Sequence, residues 1–147
     1  MKIGMNMLLW TADVTEEHYP LIAELKAGGF DGVELTVPDH RDAAHRAMLA
    51  RELDQQGLER TAIFSPDAAT NPLSPDPAVR RAAKEKLIWA VRSAAELGSQ
   101  VLAGPFHSAY ALFSGQPATQ DERAWCAEVM RAGAEEGARC GVTLTAE

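Results

Sequence analysis

The feature that most constrains the fold of this 147-residue chain is a repeated unit of helix, glycine and short β-rich run. Glycine can supply the left-handed residue that closes a helix, and a strand-like apolar stretch follows each such glycine. The helical segments end at Gly28-Gly29, Gly57, Gly98 and Gly141. A first strand is expected at Lys2–Leu8, and later ones at Gly32–Val37, Arg60–Phe64, Gln100–Ala103 and Val142–Thr145. The pattern predicts five strands and four helices in strict alternation.

Residues typical of helix starts stand in the same phase. Thr119 and Glu122 form a T-x-x-E capping box, and Asp76 precedes Pro77 as a cap before proline at the first helical position. Thr15 is expected to cap the first helix. In the third helix, apolar residues at steps of three and four predict one buried stripe. Its members are Ala83, Leu87, Ala90, Ala94 and Leu97.

Strands that alternate with helices through right-handed crossovers form a parallel sheet of the α/β class. An open doubly wound sheet and part of a barrel both satisfy this pattern. The first βα turn, at residues 8–13, carries no GxGxxG, and the chain has no GxxxxGK[ST], so a nucleotide-binding fold is disfavoured. Polar and aromatic residues instead collect where strands end, as in barrel enzymes. They are Trp10, Glu34, Ser65, His107 with Ser108, and Glu147.

The sequence therefore predicts a partial (β/α)8 TIM barrel. Five strands do not close such a barrel, which usually needs about 250 residues. We expect residues 1–147 to be the N-terminal portion of a single TIM-barrel domain, truncated after strand 5. Unpaired edges of a parallel sheet invite pairing with another chain, so a homo-oligomer is expected.

Several of the residues at the strand ends are candidates for chemistry, and each has a simpler structural reading. Glu147 ends an apolar, β-branched strand and suits a divalent cation or proton transfer, although a solvated glutamate explains it as well. His107, next to Ser108, could bind a hydroxyl, ligate a metal or serve only structure. Glu34, on a strand buried on both faces, needs a partner or a place at the barrel mouth. Trp10 could stack on a sugar or pack in the core.

Charge and hydropathy exclude several classes of partner. The net charge of −7 opposes a phosphate backbone, so nucleic acid is not expected. No apolar run approaches the length of a membrane span, so no membrane is expected either.

Cys126 and Cys140 lie fourteen residues apart in one helix, about 21 Å, whereas a disulfide needs Cα atoms within about 7 Å. The simplest compartment is a reducing cytoplasm.

Four segments in order resemble the sugar phosphate isomerase/epimerase family, the xylose isomerase-like barrels that include D-tagatose 3-epimerase and hydroxypyruvate isomerase. They are residues 2–6, 29–34, 98–108 and 141–147. The resemblance implies that Glu147, at the end of the fifth strand, binds Mn²⁺, Co²⁺ or Mg²⁺ and takes part in proton transfer. The other ligands that it implies, an Asp, a His and a second Glu, come from later strands.

The resemblance also implies a small-molecule sugar substrate and a mechanism. A divalent metal polarises the sugar carbonyl and lowers the cost of an enediolate, while glutamates on either face remove and return a proton. Glu147 is then both catalytic residue and metal ligand. The expected substrate contacts are His107, Ser108, Glu34, Trp10 and Asn6.

Two alternatives stay open. A metal-dependent apurinic-site endonuclease of the same barrel superfamily is similar at His107 and Glu147, but its third-strand histidine has no counterpart in Ile63-Phe64-Ser65. A non-catalytic assembly module, joined through its strand edges, would form a dimer whose stability does not respond to chelators.

Overall fold

The computed structural model describes residues 1–147 as five parallel strands in the order β1-β2-β3-β4-β5, alternating with four α-helices. The strands are β1 (Gly4–Asn6), β2 (Gly32–Thr36), β3 (Glu59–Ile63), β4 (Val101–Gly104) and β5 (Thr143–Ala146). The helices are α1 (Tyr19–Ala27), α2 (Ala43–Gln56), α3 (Pro77–Glu96) and α4 (Gln120–Cys140). The predicted alternation, and with it the partial barrel, is confirmed. None of these helices combines the length and apolarity that a bilayer crossing requires.

The helix ends follow the local signals of the sequence. The Glu122 amide donates to Thr119 Oγ1 at 3.2 Å, and the Thr119 amide donates to Glu122 Oε2 at 2.7 Å, which completes the capping box. Asp76 Oδ1 accepts from the Ala78 amide at 2.7 Å, directly before Pro77. The predicted apolar stripe of α3 is buried along its whole length. Both cysteines are free, as their spacing predicts.

Two details at the first βα unit differ from the prediction. β1 ends at Asn6, not Leu8, because the Asn6 side chain caps a 3₁₀ turn at Met7–Leu9. Thr15 does not start α1 directly. A second 3₁₀ turn, Glu16–His18, separates them, and the Thr15 amide donates to His18 Nδ1 at 3.2 Å. Short polar side chains that bond the nearby backbone thus override the strand and helix patterns here.

The sheet has one face covered by helices and one inner face. Val33 and Leu35 of β2 are buried with residues of α1 and α2, and Leu102 of β4 is buried with residues of α3. Because side chains alternate along a strand, Glu34 of β2 lies on the opposite face. Register then places Thr61 of β3 beside it, since Glu34 pairs with Thr61. This opposite face is the interior of the partial barrel.

Candidate active site

A row of three polar side chains crosses the inner face at β1, β2 and β3. Asn6 is paired in register with Glu34, and Glu34 with Thr61. Asn6 Nδ2 donates to Glu34 Oε1 at 2.7 Å, and Thr61 Oγ1 donates to Glu34 Oε2 at 3.1 Å. Each carboxylate oxygen therefore has a donor, which meets the cost of placing a half-buried charge on this face.

Asn6 also organises the loop that follows β1. Its Oδ1 accepts from the Leu8 amide at 2.8 Å, and the amides of Trp10 and Thr11 both donate to the Met7 carbonyl at 2.9 Å. Met7 is buried, whereas Trp10 is 47% exposed. The predicted site residues Asn6 and Glu34 are thus in direct contact, and Trp10 lies beyond them on the loop after β1.

The loop after β4 is shaped by Gly104, which has a φ of 144°. A Cβ at this position would lie 2.0 Å from the Phe64 carbonyl oxygen, so only glycine allows the two backbones to approach this closely. The ring of Phe106 is buried and stacks on Phe64, with centroids 6.4 Å apart. β4 therefore ends at Gly104, and His107 lies three residues past the strand instead of at its end.

The next residues of this loop include His107 and Ser108, both of which were predicted as substrate contacts. His107 is exposed and its imidazole makes no hydrogen bond within the chain, whereas Ser108 is half-buried. Two bonds fix the loop to the segment after β3. The Ala109 amide donates to Asn71 Oδ1 at 3.1 Å, and the Tyr110 amide donates to the Pro66 carbonyl at 2.8 Å. The loop is thus fixed through its backbone, and the side chains of His107 and Ser108 are left without an internal hydrogen bond.

Glu147 directly follows β5. Its amide donates to the Gly104 carbonyl at 3.1 Å, so the backbone ladder between β4 and β5 continues to this residue. Leu144 packs on the helix side of the sheet, and alternation along the strand assigns Glu147 to the inner face. The side chain is exposed and makes no hydrogen bond. Glu147 thus stands at the carboxyl end of its strand, next to the start of the loop that carries His107.

The loops after β1 and β2 are joined by an ion pair that the sequence analysis missed. Arg41 Nη2 lies 2.6 Å from Asp13 Oδ2, and His40 Nε2 lies 3.0 Å from the same oxygen. Hydrogen bonds from Arg41, and secondarily from His40, lower the pKa of Asp13 from 3.8 to about 2, although partial burial acts in the opposite direction. None of the three residues belongs to a sequence motif. Asp13 is 27 residues from His40 and 28 from Arg41, so no short-range pattern predicts their contact.

A hollow of about 350 Å³ lies on the inner face of β1, β2 and β3. Its lining includes Lys2, Asp31 and Glu59 at the amino ends of these strands, and the polar row Asn6, Glu34 and Thr61. Barrel enzymes build their sites at the opposite, carboxyl ends of the strands. We therefore assign the candidate site to the carboxyl ends and not to this hollow.

The divalent metal that the resemblance implies can be tested against these residues. No three His, Cys, Asp or Glu side chains of the chain come close enough to hold a metal ion together. Glu147 offers an exposed carboxylate without an internal partner, a ligand suited to a hard divalent cation. Both oxygens of Glu34 are already occupied by donors. The chain thus fits such an ion at one ligand position, Glu147.

The family of the chain follows from the sequence as a whole. A family model described as xylose isomerase-like TIM barrel matches residues 22–147. The chain belongs to this family. The match includes Glu34 of β2, His107 in the loop after β4 and Glu147 directly after β5, and the fold expected from the resemblance is confirmed.

The relatives of this xylose isomerase-like barrel include sugar epimerases. Ketose 3-epimerase of Arthrobacter globiformis is 34% identical over 121 residues, which is 81% of this chain and 41% of that protein. The structure of D-allulose 3-epimerase from Methylomonas sp. in complex with D-allulose matches with a TM-score of 0.86 and 25% identity over 99% of this chain and 50% of that one. L-ribulose 3-epimerase matches with a TM-score of 0.87 and 25% identity, over 99% and 49%. The chain spans about half the length of these relatives.

Proposed function

We propose that this xylose isomerase-like barrel contributes the amino-terminal half of the site of a sugar epimerase or isomerase, with epimerisation of a ketose beside its carbonyl as the leading reaction. The observation that carries the proposal is the position of Glu147, an unpaired carboxylate at the carboxyl end of β5 on the inner face. The relatedness to a ketose 3-epimerase supports the choice of substrate class.

The proposed chemistry is a proton transfer at carbon. A carboxylate takes the proton from the carbon next to the ketose carbonyl, and the electron pair moves onto the carbonyl oxygen to give an enediolate. Return of a proton to the opposite face of that carbon produces the epimer. If the carboxylate takes the proton from the terminal hydroxymethyl carbon instead, its return to the former carbonyl carbon gives the aldose. Glu147 serves as one of the two acid–base groups, and the second comes from a residue outside this chain.

A divalent cation, when bound, supplies polarisation of the substrate carbonyl. Glu147 is proposed as its ligand in this chain. His107 and Ser108 bind substrate hydroxyl groups, because both have free polar atoms on the loop beside Glu147. Trp10 offers an exposed aromatic surface for a sugar face. Asn6 and Glu34 lie side by side on the inner face of β1 and β2 and border the proposed site there.

The proposed partners are a small sugar and a second copy of the chain, with no nucleic acid. The endonuclease alternative ranks lower for two reasons. β3 is followed by Phe64 and Ser65 and not by histidine, and the net charge is −7.

Solvent isotope exchange tests the proposal directly. A protein that carries this chain together with the remaining barrel strands is incubated in D₂O with D-allulose or another ketohexose and Mn²⁺, and the protons are followed by NMR. We expect deuterium at the carbon next to the carbonyl, with EDTA stopping the exchange and added Mn²⁺ restoring it. Absence of exchange with every ketose tested, or cleavage of abasic DNA by the same preparation, would overturn the proposal.

A further inference from the structure

Glu34 and Trp10 are 24 residues apart in the sequence. Hydrogen bonds nevertheless connect Glu34 to Asn6, and Asn6 to the Met7–Leu9 turn that precedes Trp10. We propose that Glu34 is a positioning residue that fixes the loop of Trp10 through Asn6. The relevance of this loop to a sugar rests on the proposed function, but the coupling itself is a property of the free protein and is tested without substrate.

The first step is the orientation of the Asn6 amide. A carboxylate can only accept hydrogen bonds, so Glu34 Oε1, 2.7 Å away, requires the NH₂ end of Asn6 to face it. The oxygen end of the same amide then faces the Leu8 amide, from which it accepts at 2.8 Å. A flipped Asn6 would bring an NH₂ group against the Leu8 N–H. Glu34 therefore selects the one amide orientation that caps the turn.

The second step runs from the cap to Trp10. The Leu8 amide is the second in the Met7–Leu9 turn, and Asn6 satisfies this otherwise free donor. The turn closes with the Trp10 amide on the Met7 carbonyl at 2.9 Å. The Trp10 indole makes no hydrogen bond, and the residue is 47% exposed, so its position depends on the backbone of this turn.

The third member of the row provides an internal control. Thr61 donates to the other oxygen, Oε2, at 3.1 Å and makes no side-chain hydrogen bond to Asn6 or the turn. Removing the Thr61 hydroxyl takes one hydrogen bond from Glu34 but leaves the carboxylate facing Asn6. A general loss of stability on the inner face would follow from either change, whereas loss of the cap would follow only from the change at Glu34.

The experiment uses a protein that carries this chain together with the remaining barrel strands. Trp89→Phe, Trp125→Phe and replacement of any tryptophan in the added strands make Trp10 the sole tryptophan. Amide exchange of Leu8 is measured by NMR together with the emission and anisotropy of Trp10. In Glu34→Ala we expect Leu8 exchange to accelerate about tenfold and the anisotropy of Trp10 to fall, since a hydrogen bond to a charged group is lost. Exchange of the Leu102 amide in β4 reports global opening and is expected to change less.

Two further variants separate positioning from bulk stability. Glu34→Gln can present its oxygen to Asn6 and its NH₂ to Thr61 Oγ1, so it should retain slow Leu8 exchange. Thr61→Val should leave both Leu8 and Trp10 unchanged. Equal effects of Glu34→Ala and Thr61→Val, or no effect of Glu34→Ala on Leu8, would overturn the proposal.

If Glu34→Ala does not fold, Asn6→Ser decides. Serine still offers a capping oxygen but is too short to reach Glu34, so accelerated Leu8 exchange supports the role of Glu34 and wild-type exchange refutes it. Because no sugar is present, a failed isotope-exchange assay leaves this result standing. Conversely, an active epimerase with unchanged Leu8 and Trp10 in Glu34→Ala would remove only the positioning role.

Discussion

Arg41 binds the carboxylate of Asp13 through two nitrogens, with Nε 2.9 Å from Oδ1 and Nη2 2.6 Å from Oδ2. Asp13 lies in the loop after β1 and Arg41 in the loop after β2. This two-point contact links loops at the carboxyl ends of neighbouring strands, where the candidate site lies. The loop that carries Trp10 is therefore held at its far end by this ion pair and at its near end by Asn6.

Asp13→Asn is expected to lower the free energy of unfolding in a pH-dependent way. The folded pKa of Asp13 is lowered to about 2 from 3.8, so its stabilisation is complete above 3.8 and disappears as the pH falls through 2. We expect a loss of about 1 kcal/mol at neutral pH, reduced by solvent screening of this partly exposed pair, and a difference that vanishes as the pH falls below about 2. Urea unfolding at several pH values measures it. Glu135→Gln, at an exposed carboxylate without an internal partner, is the control, and a pH-independent difference for Asp13→Asn would contradict the prediction.

Glu147→Gln, in a protein that carries all strands of the barrel, is expected to abolish epimerisation and weaken metal binding. The amide keeps the shape of the side chain but removes the charge that attracts a cation and the base that takes a proton. Calorimetric titration with Mn²⁺ and isotope exchange at the substrate carbon give the two readings. Glu135→Gln, at an exposed carboxylate of α4 that has no ion pair or side-chain hydrogen bond, is the matched control. Wild-type exchange rates in Glu147→Gln would remove the main assignment of this site.

Gly104→Ala is expected to destabilise the chain by roughly 3 kcal/mol, because its Cβ would collide with the Phe64 carbonyl at a φ that L-residues avoid. Displacement of the loop with His107 and Ser108 should accompany the loss. Gly115 has a φ of 71°, but an added Cβ there would have nothing within 4 Å. Gly115→Ala should therefore lower the free energy of unfolding by only about 1 kcal/mol. Thermal and urea unfolding compare the two variants. Similar losses at both glycines would show that the close approach to Phe64 is unimportant.

Leu87→Ala is expected to cost about 3 kcal/mol, because this side chain is 2% exposed in the core between α3, α4 and the sheet. Leu112→Ala makes the same chemical change at a residue that is 54% exposed, and it should stay within about 0.5 kcal/mol of wild type. Urea unfolding monitored by circular dichroism gives both values. A small effect at Leu87 would mean that the stripe predicted for α3 does not form the main core.

Much of the fold could be predicted because its signals are local. Thr119 and Glu122, or Asp76 and Pro77, lie within four residues of one another, and their bonds mark helix starts wherever the helix packs. The same short range explains where the prediction was wrong. The Asn6 cap ended β1 early, although the apolar pattern continued to Leu8.

The candidate site could be predicted only in part. Asn6, Glu34 and Trp10 were named from the sequence, and so were His107, Ser108 and Glu147, but which of them make contact was open. Thr61 was missed because a threonine in a strand is ordinary, and only register with Glu34 gives it a role. Asp13 and Arg41 were missed because they stand 28 residues apart in separate loops.

The sequence by itself determined the order of strands and helices, the parallel α/β class and the strand ends at which polar side chains collect, since periodicity, caps and glycine stops act within a few residues. Only the tertiary structure decided that Glu34 accepts hydrogen bonds from both Asn6 and Thr61 and that Arg41 forms an ion pair with Asp13. Those contacts depend on the register of strands and the approach of loops far apart in the chain, and packing of the whole sheet sets both.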